Sequence, residues 1–172
     1  MGLKTIKLDK YSKDWPRLFE EEKQKIISVI GDLRIEHMGS TAIPGLDSKP
    51  VIDMMAAVNN LNAVKKYIES LETLEYKYAP ELEQQTPDRK FFQKRTPNLW
   101  YHLSLTEPTS IYWRDHILFR DYLRNNSEAR KNYEELKIRL AEEFVDDFDK
   151  YNSGKTEFIN KIIEKALKEN SI

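Results

Sequence analysis

The run Val51-Ile-Asp-Met-Met-Ala-Ala-Val58 sets a carboxylate inside an otherwise apolar segment of strand length. A nearly unbroken apolar run of this kind reads as a buried central strand. Asp53 is then withdrawn from water, which a carboxylate tolerates only when it is paired, hydrogen-bonded or bound to a metal. Two roles are open to it. It is either a structural partner of an arginine or of backbone donors, or an oxygen ligand for Mg2+.

The stretch that leads into this strand favours the second role. A short strand, Arg34 to Met38, is followed by the loop Gly39-Ser-Thr-Ala-Ile-Pro-Gly-Leu46. A glycine after a strand lets backbone N–H groups come close to an anion, Ser40 and Thr41 add hydroxyl donors, and Lys49 adds charge. Phosphate oxygens are held by such a set. Glycine, serine and proline are also what an ordinary turn between strands contains. The loop and Asp53 together point to a phosphate site beside a metal-binding carboxylate.

With 172 residues the chain fits one domain, 1–172, and no linker, repeat or low-complexity tract divides it. It carries 28 basic and 29 acidic side chains, a net charge of −1. No overall field draws it to nucleic acid or to a membrane, so any cationic site has to be local. An aromatic content of 11% supplies large buried area and argues against disorder. There are no cysteines, which removes disulfides, thiolate zinc sites and cysteine nucleophiles. Met1-Gly2-Leu3-Lys4 lacks an apolar signal core, and no apolar run is long enough to span a bilayer. The expectation is a cytoplasmic protein.

Hydrophobic spacing orders the rest. Asp14 reads as an N-cap with Pro16 in the first turn. Trp15, Leu18, Phe19, Ile26, Val29 and Ile30 then recur at helical spacing up to Gly31. Leu61 to Leu74 has helical spacing too. Tyr76 to Ala79, Lys90 to Lys94 and Leu99 to Leu105 read as further strands. Past Pro108, helices are expected over about Ser110 to Asn125, Ser127 to Phe148 and Ser153 to Lys168. The stripe Tyr133, Leu136, Leu140, Phe144, Phe148 belongs to the second of these. A sheet-rich half (1–108) before a helical half (109–172) predicts an α+β fold.

His37-Met-Gly-Ser-Thr-Ala-Ile-Pro-Gly-Leu46 and Lys49-Pro-Val-Ile-Asp53 resemble the signature of the GrpB family. Leu118-Phe-Arg-Asp-Tyr-Leu-Arg124, Tyr133-Glu-Glu-Leu-Lys137 and the spaced Tyr151, Lys155 and Phe158-Ile159 extend the likeness to about Trp15 through Ala166. That family is commonly grouped with polymerase-β-like nucleotidyltransferases. The resemblance implies a nucleotidyltransferase-like mixed β-sheet with an N-terminal helix and a C-terminal helical layer. It implies a Gly-Ser turn that holds a triphosphate, matched by Gly39 and Ser40. It also implies carboxylates at alternate strand positions that bind Mg2+, of which Asp53 is the first. The alternate position is Met55, a poor Mg2+ ligand, and Trp100-Tyr-His-Leu-Ser-Leu105 offers no third carboxylate. Both departures weigh against two-metal in-line transfer.

Further candidates surround this loop. His37 and His102 could join Asp53 as a metal-binding or acid–base set, or sit hydrogen-bonded at the edge of a core. His102 also matches a family histidine, whereas His116 is given no role. If His37 faces the site, alternation turns its neighbour Glu36 away. Arg120 and Arg124 share a helix face with Trp113 and Ile117 and need anions, either a ligand's phosphate or internal partners such as Asp53, Asp121 or Glu36. Lys137 and Lys155 line the same cleft if the likeness carries over. Arg89-Lys-Phe-Phe-Gln-Lys-Arg95 fits a half-buried strand with solvated lysines better than a nucleic-acid groove, and Glu20-Glu-Glu22 a solvated helix face.

The expected function is nucleotidyl transfer, or at least the binding of a nucleotide or another phosphorylated small molecule with Mg2+. Asp53 and His102 are the catalytic candidates, with Asp53 also the metal ligand. Gly39, Ser40, Thr41, Lys49, Arg120 and Arg124 would hold phosphate, and His37, Lys137 and Lys155 would line the site. The alternative is a catalytically degenerate nucleotidyltransferase fold that binds or senses a ligand. A small interaction module without a ligand is a third reading, disfavoured by the partly buried arginine pair. Neither a membrane nor nucleic acid is the expected partner.

Overall fold

The computed structural model describes residues 5–84 and 86–169, so the opening Met1–Lys4 lie outside the described residues. Helix α1, Trp15–Ile30, buries Trp15 and Ile26 and packs Leu18, Phe19, Ile27 and Ile30 beside them. Gly31 ends it at φ +97°, with its N–H on the Ile27 carbonyl at 3.0 Å. Asp14 occupies the cap position but does not cap. Its carboxylate accepts from Arg17 at 3.3 Å instead.

Five strands follow: β1 Ile35–Met38, β2 Val51–Ala57, β3 Lys77–Tyr78, β4 Arg89–Arg95 and β5 Trp100–Thr106. They form one sheet in the order β1-β2-β5-β4-β3. β2 runs antiparallel to β1 and parallel to β5, and β4 is antiparallel to both β5 and β3. The apolar run thus lies in the sheet interior, next to the strand that precedes the glycine loop. The expected helix over Leu61 to Leu74 is realised as a 3-10 turn, Leu61–Ala63, and helix α2, Lys65–Glu72.

Alternation gives the sheet two faces. Ile52, Met54, Ala56, Tyr101, Leu103, Leu105 and Phe92 form the main core with Trp15 and Ile26 of α1 and Leu71 of α2. Lys94 alternates onto this same side. It is 9% exposed, and its ammonium donates to Glu22 of α1 at 2.8 Å. Glu22, 1% exposed, also accepts from the Tyr76 hydroxyl at 3.1 Å. Neither Lys94 nor Glu22 is therefore on the solvated face expected of it, because a buried ammonium requires a buried carboxylate.

The other sheet face carries Asp53, Met55, His102, Ser104, Arg89 and Phe91. Four helices make the C-terminal layer: α3 Ile111–Asn125, α4 Ser127–Glu143, α5 Phe148–Ser153 and α6 Thr156–Glu169. Trp113 of α3 packs on Met38 and Met55. Ile43 and Leu46 of the loop are buried against Leu123, Tyr133 and Ile162, so the helical layer grips the loop directly. The single helix expected from Ser127 to Phe148 is broken between Glu143 and Phe148. Asp147 caps α5 by accepting the Lys150 N–H at 3.0 Å, a local bond that competes with helix continuation. Phe144 and Phe148 still pack together with Leu140, Tyr151 and Ile6.

Candidate functional site

Gly39 follows β1 at φ +73°, a backbone shape that L-residues rarely adopt. A Cβ there would stand 2.5 Å from Asp53 Oδ2. Only glycine lets the turn and the carboxylate approach each other this closely. Asp53 Oδ1 accepts the Nδ1–H of His102, its register partner on β5, at 3.1 Å. Burial pushes the Asp53 carboxyl up, but His102, Lys49 and His37 together more than offset it, so it is held below the usual carboxylate range. An ionised Asp53 fixes Nδ1 as the donor and leaves His102 Nε2 as an open acceptor. Both side chains are 29% exposed, so the pair can be reached from solvent.

Three lysines lie close enough to repel one another, and one of them, Lys137, contacts the same turn. Lys137 of α4 is 2% exposed and donates to Ser40 Oγ at 3.2 Å and to the Asp47 carbonyl. Burial pushes its pKa down to about 7. Lys155 stands just before α6, 4.3 Å above the Tyr151 ring, and donates to Asn152 at 3.1 Å. Burial, and then repulsion by Lys49 and Lys137, lowers it to about 7 as well. Lys49 lies 5.0 Å from the Phe148 ring and 5.2 Å from the Tyr151 ring, and burial lowers it against the pull of Asp53. The Tyr133 hydroxyl meets Ser40, and burial keeps that phenol protonated. Among the described residues none of the three lysines forms an ion pair with a carboxylate. Desolvated, mutually repelling ammonium groups are stabilised by an added anion.

Other expected site residues have different positions. His37 does not face the cleft. Its ring stacks on Phe19 of α1, centroids 4.7 Å apart, and burial pushes its pKa down to about 4. Its Nε2–H donates to Thr41 Oγ1 at 2.9 Å, and the Thr41 hydroxyl donates to the Val51 carbonyl at 2.9 Å. Thr41, 1% exposed, is thus an internal brace rather than an open donor. With His37 turned towards α1, alternation brings Glu36 onto the Asp53 face, opposite Met55, the reverse of the expected arrangement. Glu36 is engaged there by Arg120 at 2.8 Å and Arg34 at 2.9 Å. Arg120 also donates to Asp121 at 2.7 Å and to the His37 carbonyl at 2.9 Å. Arg124 Nε donates to the Ala42 carbonyl at 2.8 Å. Arg120 holds the backbone of β1 and Arg124 that of the loop, and the carboxylates that answer Arg120 are internal.

Among the described residues, Asp53 is the carboxylate on this sheet face that no arginine pairs with. Met55 is packed in the apolar cluster with Met38 and Trp113, and His102 stands beside Asp53 on β5. Among the described residues no three His, Cys, Asp or Glu side chains gather into a metal-binding set. A two-ion site does not fit these residues. One ion shared between Asp53 and a ligand's phosphate oxygens does, since Mg2+ is commonly held by one or two carboxylates plus substrate phosphates.

The sequence model of the GrpB protein family matches residues 5–165. The chain belongs to the GrpB family. It is 36% identical to glutamate-rich protein GrpB of Alkalihalophilus pseudofirmus, over 89% of this chain and 91% of that one. It is 33% identical to YqkA of Bacillus subtilis over 95% of its own length but spans only 48% of YqkA. The crystal structure of the conserved protein GrpB from Enterococcus faecalis superposes with a TM-score of 0.85 at 30% identity, covering 96% of this chain and 100% of that one. Terminal uridylyl transferase 4 from Trypanosoma brucei with bound UTP superposes with a TM-score of 0.53 at 14% identity, covering 90% of this chain and 51% of that one. At that identity the likeness speaks for the fold alone, and the fold is nucleotidyltransferase-like, as the sequence resemblance implied.

The burial of Lys137 has a signal in the sequence. Tyr133, Lys137 and Leu140 repeat at spacings of four and three, which puts Lys137 on the buried stripe of α4. The meeting of Tyr133 with Ser40 left no trace in the sequence, because it joins distant segments.

Proposed function

We propose that this GrpB chain binds a nucleotide or another phosphorylated small molecule at the Gly39–Ser40 turn. The observation that carries the reading is the cluster of Lys49, Lys137 and Lys155, which repel one another without a carboxylate ion pair and reach Ser40 through Lys137. A phosphate group there meets Ser40, the Tyr133 hydroxyl and the ammonium groups, and it compensates their desolvation. Asp53 keeps His102 in the tautomer whose Nε2 can take a proton from an attacking hydroxyl or amine. Mg2+, entering with the phosphates, would be held by Asp53 and would neutralise phosphate charge. The same reading suits the cytoplasm, where nucleotides are abundant and a chain without cysteine needs no oxidising compartment.

Met55 favours a second reading, a binding or sensing protein that performs no transfer. The two separate in an assay for release of pyrophosphate from nucleoside triphosphates. Steady turnover that is lost in His102→Gln supports transfer, and ligand binding without turnover supports sensing. Binding itself is tested by a thermal-shift screen of nucleotides and phosphorylated metabolites, with and without Mg2+. A ligand at a hundred times its Kd stabilises by about 2.7 kcal/mol, which the screen resolves. At least one phosphorylated compound is expected to shift the wild type and to lose its effect in Ser40→Ala and Lys155→Met. A panel that shifts nothing, or shifts both variants as it shifts the wild type, rejects the reading.

A further inference from the structure

Arg89 stands on β4, on the sheet face that carries Asp53 and His102. Its guanidinium lies 4.4 Å from the Phe91 ring and 5.6 Å from the Tyr112 ring. It donates to Tyr112 Oη at 3.3 Å, to Ser104 Oγ at 3.4 Å and to the Leu82 carbonyl at 3.4 Å. All three acceptors are uncharged, and all three bonds are longer than the usual N–H···O range. The Nε atom is buried without a partner. Among the described residues no carboxylate pairs with Arg89, whereas Arg120 has both Glu36 and Asp121. An arginine held between aromatic rings and given only weak neutral acceptors is a receptor for an anion.

Two hydroxyls adjoin the guanidinium, and one of them has a hydrogen left for a ligand. The Tyr112 and Ser104 hydroxyls are 3.2 Å apart, and burial keeps the Tyr112 phenol protonated. His116 donates from Nδ1 to the Tyr112 carbonyl at 2.7 Å, and its ring packs on Tyr112 with centroids 4.1 Å apart. We infer that Arg89, Tyr112 and Ser104 form a subsite for one carboxylate group of a second, acceptor ligand. The charge at the site selects the ligand class. One guanidinium matches a monoanion, while a phosphate dianion finds the lysine cluster that Lys137 joins to Ser40. Ser104 and His102 alternate along β5, so a carboxylate at Ser104 lies roughly 7 Å from the His102 ring. A short hydroxy acid or amino acid spans that distance and brings its hydroxyl or amine to His102. That step rests on the proposed role of His102, but carboxylate binding at Arg89 does not.

The test is arginine side-chain NMR on the full chain, titrated separately with 3-hydroxypropionate, its neutral amide and inorganic phosphate. The Arg89 Nε–H resonance is expected to shift saturably with the acid, at least tenfold more tightly than with the amide. Arg89→Lys is expected to weaken acid binding tenfold or more, judged from the Tyr112 ring resonances. Phosphate is expected to move the Lys137 and Lys155 Nζ signals and leave Arg89 unchanged. An Arg89 resonance that ignores the acid, answers acid and amide alike, or is claimed equally by phosphate overturns the inference. Because the lysine signals report the phosphate site independently, either site can fail without the other, and the wild-type titration needs no variant to fold.

Discussion

A lysine that is 2% exposed and lacks a carboxylate partner destabilises the fold whenever it carries its charge. Burial holds Lys137 at about 7 in the folded chain against an ordinary value of 10.5. Between those limits the unfolded chain binds a proton that the folded chain does not, so stability rises with pH across the window. Below pH 7 the penalty is complete. Lys137→Met should therefore stabilise the ligand-free protein by ~2 kcal/mol near neutral pH and flatten the rise towards pH 10. Urea unfolding at several pH values measures this, and a variant less stable than wild type at neutral pH would show that the amine is structural. Gly39 supplies the second prediction at this scale. Gly31 and Gly39 both have positive φ, but a Cβ at Gly31 meets nothing within 4 Å, while one at Gly39 meets Asp53. Gly31→Ala should cost ~1 kcal/mol of conformational strain. Gly39→Ala should cost ~2 kcal/mol more through displacement of the carboxylate, and it should also lose the ligand-induced thermal shift. Equal destabilisation by the two variants would deny the close approach.

At the scale of elements, α3 is fastened by Arg120 to β1 and by Arg124 to the glycine loop. Arg120 is 7% exposed and satisfies Glu36, Asp121 and the His37 carbonyl together. Its removal takes from the partly buried Glu36 one of its two arginines and leaves the His37 carbonyl without that donor. Arg120→Met is expected to cost ~3–5 kcal/mol in urea unfolding. Adding Glu36→Gln should recover part of that loss, since a carboxylate left with Arg34 alone goes with it. A loss below 1 kcal/mol, with ligand binding abolished, would return Arg120 to the ligand. The elements also show what a single sequence can and cannot tell. The apolar run at Val51 and the spacing around Trp15 announced β2 and α1, because burial on both faces or on one leaves its own period. Which side of β1 shares a face with Asp53 was not legible. Alternation separates Glu36 from His37 but does not say which of them meets α1, and stacking of His37 on Phe19 decides it. The break in the last long helix pattern was hidden in the same way, since its apolar stripe runs unbroken through a turn set by the Asp147 cap.

For the whole molecule, the α+β order was readable because the strand-rich and helix-rich halves are consecutive in the chain. The arrangement that makes a site was not, because it joins the two halves. The Gly39 turn and Asp53 come from the sheet, while Tyr133, Lys137 and Lys155 come from the helical layer that buries Ile43 and Leu46. A fold joined in this way concentrates positive charge at one point of a chain whose net charge is −1. Two of those charges are largely absent from the free protein at pH 8, since Lys137 and Lys155 titrate at about 7. An arriving polyphosphate restores them, so binding must take up protons. The measurement is calorimetric titration of UTP and ATP at pH 8, where the phosphates are fully ionised, in buffers that differ in ionisation enthalpy. Binding by at least one of them is expected, with heats that depend on the buffer and report uptake of about one to two protons. Both the uptake and most of the affinity are expected to disappear in the Lys137→Met/Lys155→Met double variant. Binding with buffer-independent heat that survives the double variant, or no binding by either triphosphate, would contradict the proposed phosphate site.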